Sequence, residues 1–179
     1  MKIVSVEQMQ AMEKSADAKG LSYDQMMHNA GTGVANWVCK HLPTSRGVIG
    51  LVGSGNNGGD TLIALTALSE QGVRTAAFLA KQREDDPLLD DYVRTAGYVV
   101  DISENEHIEH LESVLFPDAI VLDGILGTGL KLPIRGALLD VMATINKLLQ
   151  NRPEARVIAV DCPSGTDCDS GEVSDVTFK

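Results

Sequence analysis

The sequence predicts an α/β fold with three layers, in which helices cover both faces of a mostly parallel, Rossmann-like sheet. Two observations carry this prediction: short apolar runs alternate with helical segments, and glycine-rich turns follow three of the apolar runs. Strands that alternate with helices are joined by right-handed crossovers, and nearly continuous apolar strands indicate burial on both faces. The chain has 179 residues, and we expect one domain over residues 1–179.

Two helices are predicted first, at 6–19 and 23–41, because apolar residues recur there at helical spacing. Three large side chains of the second helix are expected in the core, namely Met26, Met27 and Trp37. Strands are then predicted at 48–52, 74–80, 98–101, 119–122 and 157–160. The helices between them are predicted at 60–71, 88–96, 106–115 and 136–149. Residues 172–179 resemble the start of a further strand.

The most informative motif is a glycine-rich run between the first predicted strand and the helix that follows. It consists of Gly53, Ser54, Gly55, Asn56, Asn57, Gly58, Gly59 and Asp60. Unpaired amides at a helix start bind anions together with the helix dipole, and glycine lets a phosphate approach the backbone closely. The run therefore predicts a nucleotide site, and a tight turn without a ligand is the alternative.

Two common nucleotide-binding motifs fit this run only in part. The dinucleotide pattern Gly-x-Gly-x-x-Gly expects an acidic residue at the end of the second strand, where this chain has Lys81. A P-loop requires Lys-Ser/Thr where this chain has Gly59 and Asp60. The sequence thus excludes a P-loop and disfavours an ordinary nicotinamide-dependent oxidoreductase.

Two more predicted strands lead into glycine-rich turns with polar residues. One strand ends near Asp123, and the other ends near Asp161, which is followed by Ser164. In an open parallel sheet, ligands bind outside the carboxyl ends of the strands, where such loops gather. Three such loops predict one shared site.

These motifs, in this order and spacing, resemble the YjeF N-terminal domain, a family that includes NAD(P)H-hydrate epimerases. The shared patterns are Asn-Asn-Gly-Gly-Asp, Asp-x-x-x-Gly-Thr-Gly-Leu and Val-Asp-x-Pro-Ser-Gly-x-Asp. Residues 6–9 and 26–31 also resemble the family's two N-terminal helices, so the likeness covers essentially the whole chain. The resemblance implies an isomerase that interconverts the R and S epimers of hydrated NADH and NADPH.

The resemblance also implies roles for individual residues. The substrate-binding residues would be Asn56, Asn57, Gly58, Gly59, Asp60, Gly127, Thr128, Gly129, Leu130, Lys131, Leu132, Pro133 and Asp161. A potassium ion would be held by Asn57, Asp123 and Ser164. This set is chemically consistent, because a hard cation takes oxygen ligands and all three side chains offer oxygen.

A mechanism follows as a hypothesis. Loss of the hydroxyl group at C6 of the hydrated ring leaves a cation that the ring nitrogen stabilises, and water can return to the opposite face. A positioned carboxyl can protonate the leaving oxygen and later accept a proton from water. We assign this catalytic role to Asp161, and the alternative is a strand-end aspartate that accepts amides from the following turn.

Several positions depart from the family's usual pattern. Thr61 replaces glycine, His28 replaces glutamate, Thr166 replaces leucine, and Lys131-Leu132 replaces a small residue and arginine. None of these changes removes a proposed ion ligand. The replacement at Lys131-Leu132 removes an arginine that could contact a phosphate. It therefore bears on affinity more than on the identity of the protein.

The charge of the chain argues against a nucleic-acid partner. The formal net charge is −10, whereas nucleic acids are bound by clustered Lys and Arg. Local amides and an ion would therefore have to hold a dinucleotide against an unfavourable overall field. Lys81 and Arg83 favour a 2′-phosphate and the acidic residues 84–86 oppose it, so the preference between NADH and NADPH hydrates stays open.

Other reactive residues are given structural interpretations. Cys39, Cys162 and Cys168 lack Cys-x-x-Cys spacing, which fits reduced thiols, and Cys162 is expected to be a small buried side chain rather than a nucleophile. His107 and His110 can share a helix face and bind metal, although a solvated helix is the favoured interpretation.

Cellular context and partners are predicted as follows. The N-terminus lacks a secretory signal, and no stretch approaches the roughly 18 apolar residues of a membrane helix, so we expect a cytoplasmic protein without a membrane partner. The family implies a separate ADP- or ATP-dependent hydrate dehydratase as pathway partner. A homodimer through the amphipathic N-terminal helices and truncation at the C-terminus stay as hypotheses. The alternative function is a non-catalytic nucleotide- or protein-binding module of the same fold.

Overall fold

The structure is a computed structural model that describes residues 3–104 and 107–178. Two helices come first, α1 (Val6–Asp17) and α2 (Tyr23–His41), and a 3-10 turn follows at Thr44–Arg46. Strands and helices then alternate: β1 (Val48–Val52), α3 (Asn56–Glu70), β2 (Thr75–Leu79), α4 (Pro87–Arg94), β3 (Tyr98–Asp101), α5 (Ile108–Val114), β4 (Ile120–Gly124), α6 (Ala137–Gln150) and β5 (Arg156–Ala159). The predicted three-layer α/β fold is confirmed.

The five strands form one parallel sheet in the order β3-β2-β1-β4-β5. The chain first adds strands on one side of β1 and then crosses to the other side, where β4 pairs with β1. The loops after β1 and β4 therefore leave the sheet toward opposite faces and open a crevice between them. Both strands are buried throughout, as expected for central strands covered on both sides.

Two hydrophobic cores lie on the two faces of the sheet. Alternate residues of β1 enter different cores: Ile49 and Leu51 face the core that includes Met142 of α6, and Val48 and Val52 face the core that includes Leu65 of α3. This alternation follows from the two-residue period of a strand. In contrast, α1 contributes no buried residue. Among the described helices, none combines the length and apolar character needed to cross a bilayer.

The sequence placed the start of α3 too late. The helix was predicted from residue 60, but it begins at Asn56, and its N-cap Gly55 is extended. Residues 56–60 therefore form the first helical turn and not a loop before it. Glycine and asparagine are poor helix formers, but their cost is offset here by backbone contacts that a larger side chain would prevent.

Two other predictions were wrong. Trp37 is 48% exposed and stacks on His41, because α2 packs on α3 through its Gly31, Ala35 and Val38 face. Met26 and Met27 are partly buried. The predicted final strand is not formed within residues 172–178, where Val173 makes an isolated bridge to Thr166. Glu106, the first residue of the helix predicted at 106–115, and Lys179, the last residue of the segment 172–179, lie outside the described residues.

Candidate functional site

A cavity of about 680 Å³ lies in the crevice between the loops that follow β1 and β4. Residues 53–57 of the first loop and helix start line it together with residues 125–130 of the second loop. Val160 and Asp161 at the end of β5 and a side of α1 complete the wall. The volume suits a small organic ligand at the crevice of an α/β sheet.

The predicted substrate-binding residues divide into three groups. Those that line the cavity are Asn56, Asn57, Asp60, Gly127, Thr128, Gly129, Leu130 and Asp161. Gly58 and Gly59 are buried in the first turn of α3. Lys131, Leu132 and Pro133 continue the second loop beyond the residues that line the cavity. The structure thus brings the three predicted loops together, and the roles of their residues remain predictions.

The two glycine-rich loops touch through their backbones. A Cβ atom on Gly53 would lie 1.9 Å from the Ile125 carbonyl oxygen, and one on Gly58 would lie 2.0 Å from the Gly53 carbonyl oxygen. Both distances are far inside van der Waals contact, so the two positions require glycine. Glycine at these two positions therefore allows close backbone packing between the loops and within the first loop.

The start of α3 carries amides for which the described residues offer no acceptor. Its N-cap residue Gly55 has no side chain that could accept a hydrogen bond from the first N–H groups of the helix. Within residues 3–104 and 107–178, the N–H groups of Ser54, Asn56 and Asn57 find no hydrogen-bond acceptor. Free amides at the positive end of a 15-residue helix form an anion-binding site.

A cluster of buried oxygen atoms joins the loops after β1, β4 and β5. Ser164 Oγ donates a hydrogen bond to Asp123 Oδ1 at 2.5 Å, and the Ser164 N–H donates to Asp123 Oδ2 at 2.8 Å. The Leu126 N–H donates to Ser164 Oγ at 2.9 Å. Asn57 Nδ2 donates to the Leu126 carbonyl oxygen at 2.8 Å. Burial raises the pKa of Asp123, against the opposing effect of the Ser164 donors.

The chemistry of this cluster fits a hard cation. Asn57 Oδ1 is a buried oxygen without a hydrogen-bond partner in the described part of the chain. An unsatisfied buried acceptor costs about 1–3 kcal/mol, so this oxygen indicates a missing donor or a cation. The amide, carboxylate, hydroxyl and carbonyl oxygens gathered here match the ligands that such a cation takes, and none is nitrogen or sulfur.

Three carboxyl groups line the cavity, on Glu13 of α1, Asp60 of α3 and Asp161 after β5. Burial, with repulsion from Asp161 and Glu13, raises the pKa of Asp60 from 3.8 to about 6. Asp60 can therefore gain or lose a proton near neutral pH. Asp161 is exposed, and its Oδ2 accepts a hydrogen bond from the Thr128 N–H at 3.0 Å. An amide of the loop after β4 therefore holds the Asp161 carboxylate. Within the described residues, no amide of the turn that directly follows Asp161 donates to it.

Sequence reasoning missed the structural role of Arg83. Its side chain is only 8% exposed, and its guanidinium donates to the carbonyl oxygens of Gly53 and Gly55 and to Asp86. Arg83 is not among the residues that line the cavity, and its Nε and Nη1 donors already have protein partners. Its expected preference for a 2′-phosphate stays a prediction. A helix cap at Asp86 followed by Pro87 is the local feature that marks this turn in the sequence. Lys81 does line the cavity.

Thr61, which departs from the family pattern, has a packing role. It is fully buried, and its Oγ1 donates to the Asn57 carbonyl oxygen at 2.8 Å. A Cβ atom on Gly124 would lie 1.8 Å from Thr61 Oγ1, so the threonine side chain fills the space above this glycine. Thr61 is not among the residues that line the cavity, so this difference from the family pattern does not alter the lining.

Other candidate reactive groups stay outside the proposed chemistry. Cys162 is partly buried, and burial with the neighbouring Cys168 and Asp161 raises its pKa to about 12, which excludes an ionised nucleophile near neutral pH. His107, Glu109 and His110 form an exposed cluster with ligand atoms within 4.8 Å of one another. None of these three lines the cavity.

Sequence comparison with known proteins shows which family this chain resembles. A family model described as YjeF-related protein N-terminus matches residues 23–179. The bifunctional NAD(P)H-hydrate repair enzyme Nnr of Thermofilum pendens is 33% identical, over 100% of this chain and 34% of its own length. The NAD(P)H-hydrate epimerase of Bordetella pertussis (strain Tohama I) is 33% identical, over 96% of this chain and 70% of its own length.

A solved structure agrees in fold. The crystal structure of the yeast protein YNL200c matches with a TM-score of 0.81 and 25% identity, over 99% of this chain and 77% of the yeast chain. This chain spans about a third of the length of the bifunctional relatives that it matches, at 34% and 35% for two of them. Sequence motifs, family model and structure agree, and the chain belongs to the YjeF-related N-terminal domain family.

Proposed function

We propose that this protein is an NAD(P)H-hydrate epimerase, which interconverts the R and S forms of hydrated NADH and NADPH. The observation that carries the proposal is the cavity at the ends of β1, β4 and β5, where free helix amides and two carboxyl side chains, Asp60 and Asp161, meet. Amides of this kind bind phosphate, and a carboxyl can move the proton that epimerisation requires. Relatives named NAD(P)H-hydrate epimerase at 33% identity support the same function.

The phosphates of the substrate are assigned to the start of α3. The net charge of −10 repels an anionic dinucleotide, so attraction must come from local groups. The N–H groups of Ser54, Asn56 and Asn57 supply donors, and Lys81 at the same cavity supplies a positive charge. This leaves the nicotinamide ring for the side of the cavity that holds Asp60 and Asp161.

The proposal includes potassium, with Asn57, Asp123 and Ser164 as the residues that hold it. The partnerless Asn57 Oδ1 and the all-oxygen donor set support this assignment. When bound, the ion would supply a fixed positive charge beneath an acidic cavity, and so help to hold an anionic substrate.

Asp161 remains the group that we assign to proton transfer. Its carboxyl gives a proton to the departing C6 hydroxyl, which leaves as water, and the ring nitrogen stabilises the cation that remains. Water then adds to the opposite face and returns a proton to the carboxylate, so the protons balance over one cycle. Asp60 can exchange a proton near neutral pH, since its pKa is about 6, and so can assist proton transfer at the same cavity.

The proposed pathway partner is a separate ADP- or ATP-dependent hydrate dehydratase that consumes the S epimer. The names of the bifunctional relatives support a link between repair activities. Cytoplasmic location and a homodimer through α1 and α2 are kept as predictions from the sequence.

The test is a coupled assay on purified NADPH hydrate. A dehydratase specific for the S form stalls when that form is consumed, and the R form remains. We expect this protein to restore the recovery of reduced-cofactor absorbance, faster in potassium than in sodium. A folded protein that binds nucleotide without any recovery would contradict the proposal and favour the alternative, a non-catalytic binding module.

A matched pair of variants links the activity to the site. Asp161→Asn removes the proposed proton donor, and Asp118→Asn changes an aspartate whose side chain is 50% exposed in a surface ion pair with Arg46. We expect the first variant to lose recovery and the second to keep it. Normal turnover by Asp161→Asn would remove Asp161 from the mechanism.

A further inference from the structure

The loop between β1 and α3 has few side chains of its own to hold its shape. Gly53 and Gly55 flank Ser54, and glycine loses more backbone entropy on ordering than other residues. One restraint comes from the loop between β2 and α4, where Arg83 Nη1 donates to the Gly53 carbonyl oxygen at 2.5 Å and to the Gly55 carbonyl oxygen at 3.1 Å.

Arg83 is itself held in place. Its Nε donates to Asp86 Oδ2 at 2.5 Å, and Asp86 Oδ1 accepts the Leu88 N–H at 2.8 Å as the N-cap of α4. The two side chains are 8% and 15% exposed. A buried charge costs free energy unless it is paired and hydrogen-bonded, and Arg83 meets both conditions. The Arg83 side chain therefore links the N-cap residue of α4 to the glycine-rich loop by hydrogen bonds at both ends.

The orientation of the two carbonyl groups decides where the amides point. In a planar trans peptide, the C=O and the following N–H point in opposite directions. Because the Gly53 and Gly55 carbonyls point at Arg83, the N–H groups of Ser54 and Asn56 point away from it. Both of these residues line the cavity.

We propose that Arg83 is a positioning residue that aims the Ser54 and Asn56 amides at a phosphate group of the nucleotide substrate. This inference rests on the proposed function for the identity of the substrate. It acts through the backbone of the loop, so Arg83 never touches the substrate. Gly58 completes the arrangement, since a Cβ atom there would lie 2.8 Å from Arg83 Nη1.

The first test compares Arg83→Met and Arg83→Lys with Arg94→Met. Arg94 also pairs with an aspartate three residues away, but its side chain is 73% exposed, which makes it a matched control. We expect Arg83→Met to raise the KM for the R form of NADPH hydrate about tenfold with little change in kcat, because a binding interaction common to ground and transition states is lost. Arg83→Lys keeps the charge without the fork and should recover part of the loss.

The second test needs no turnover. Calorimetric titration with NADP⁺ should show a Kd about tenfold weaker for Arg83→Met and unchanged for Arg94→Met. If the wild-type protein binds NADP⁺ but has no epimerase activity, the proposed function fails, and this titration still decides the role of Arg83. A lowered kcat with unchanged KM and Kd, or a wild-type protein that binds no NADP⁺, would overturn the inference.

A further pair of variants covers the case in which Arg83→Met does not fold. Asn56 is the first residue of α3 and follows an extended Gly55, a position where proline is well tolerated. Asn56→Pro removes the N–H, whereas Asn56→Ala removes only the side chain. We expect Asn56→Pro to bind NADP⁺ several-fold more weakly than Asn56→Ala, and equal affinities would refute amide recognition.

Discussion

We expect the Asp60 carboxyl to lower the free energy of unfolding at neutral pH relative to acid pH. Burial and two neighbouring carboxylates, on Asp161 and Glu13, raise its pKa in the folded state from 3.8 to about 6. Well below pH 3.8, Asp60 is protonated in both the folded and unfolded states, so it has no differential effect. As the pH rises from 4 through 6, the unfolded state ionises first, and the free energy of unfolding falls.

The size of this effect follows from the shift. One pKa unit corresponds to 1.36 kcal/mol, so a shift of about two units gives about 3 kcal/mol as an upper limit. The carboxyl is only half-buried, and solvent screening reduces the expected value to about 1–2 kcal/mol. Asp60→Asn should therefore stabilise the protein by this amount at pH 7.5 and leave its stability nearly unchanged at pH 4.

Urea unfolding of wild type and Asp60→Asn at both pH values measures the difference directly. Asp161→Asn serves as a second probe, because loss of one repulsive neighbour should lower the pKa of Asp60 and recover part of the same stabilisation. Equal stability of wild type and Asp60→Asn at pH 7.5 would refute the reasoning. A stabilised but inactive Asp60→Asn would show that the site trades stability for function.

Three further outcomes are expected. Asp161→Asn should lower kcat in the coupled assay by about 10²–10⁴-fold, with its thermal midpoint retained, and a smaller loss would argue against proton transfer by this group. Asn57→Ala should abolish the difference in rate between potassium and sodium, since it removes the partnerless buried oxygen, and a rate that still depends on the ion would place the ion elsewhere. Thr61→Val should destabilise the fold by about 1 kcal/mol in urea unfolding, because the buried Asn57 carbonyl loses its hydroxyl donor, and an unchanged free energy of unfolding would show that this hydrogen bond does not stabilise the fold.

Residues that line the cavity could be predicted from the sequence because their motifs are local. Each motif combines an apolar strand with the glycines and polar residues that directly follow it, and the parallel sheet brings these strand ends to one edge. The predicted loop residues Asn57, Thr128 and Asp161 accordingly meet at one cavity. The start of α3 was placed wrongly because Asn56 to Gly59 have weak intrinsic helix preference, and only contacts with the neighbouring loop show why these residues are helical.

The sequence by itself determined the order of the elements, the bounds of β1 and the positions of the three glycine-rich loops, since these depend on patterns within a few residues. Tertiary structure alone decided the exposure of Trp37, the reach of Arg83 to a loop 30 residues away and the raised pKa of Asp60. Each of these depends on a neighbour that is distant in the chain. Packing and electrostatic interactions act through space, so local sequence patterns do not contain them.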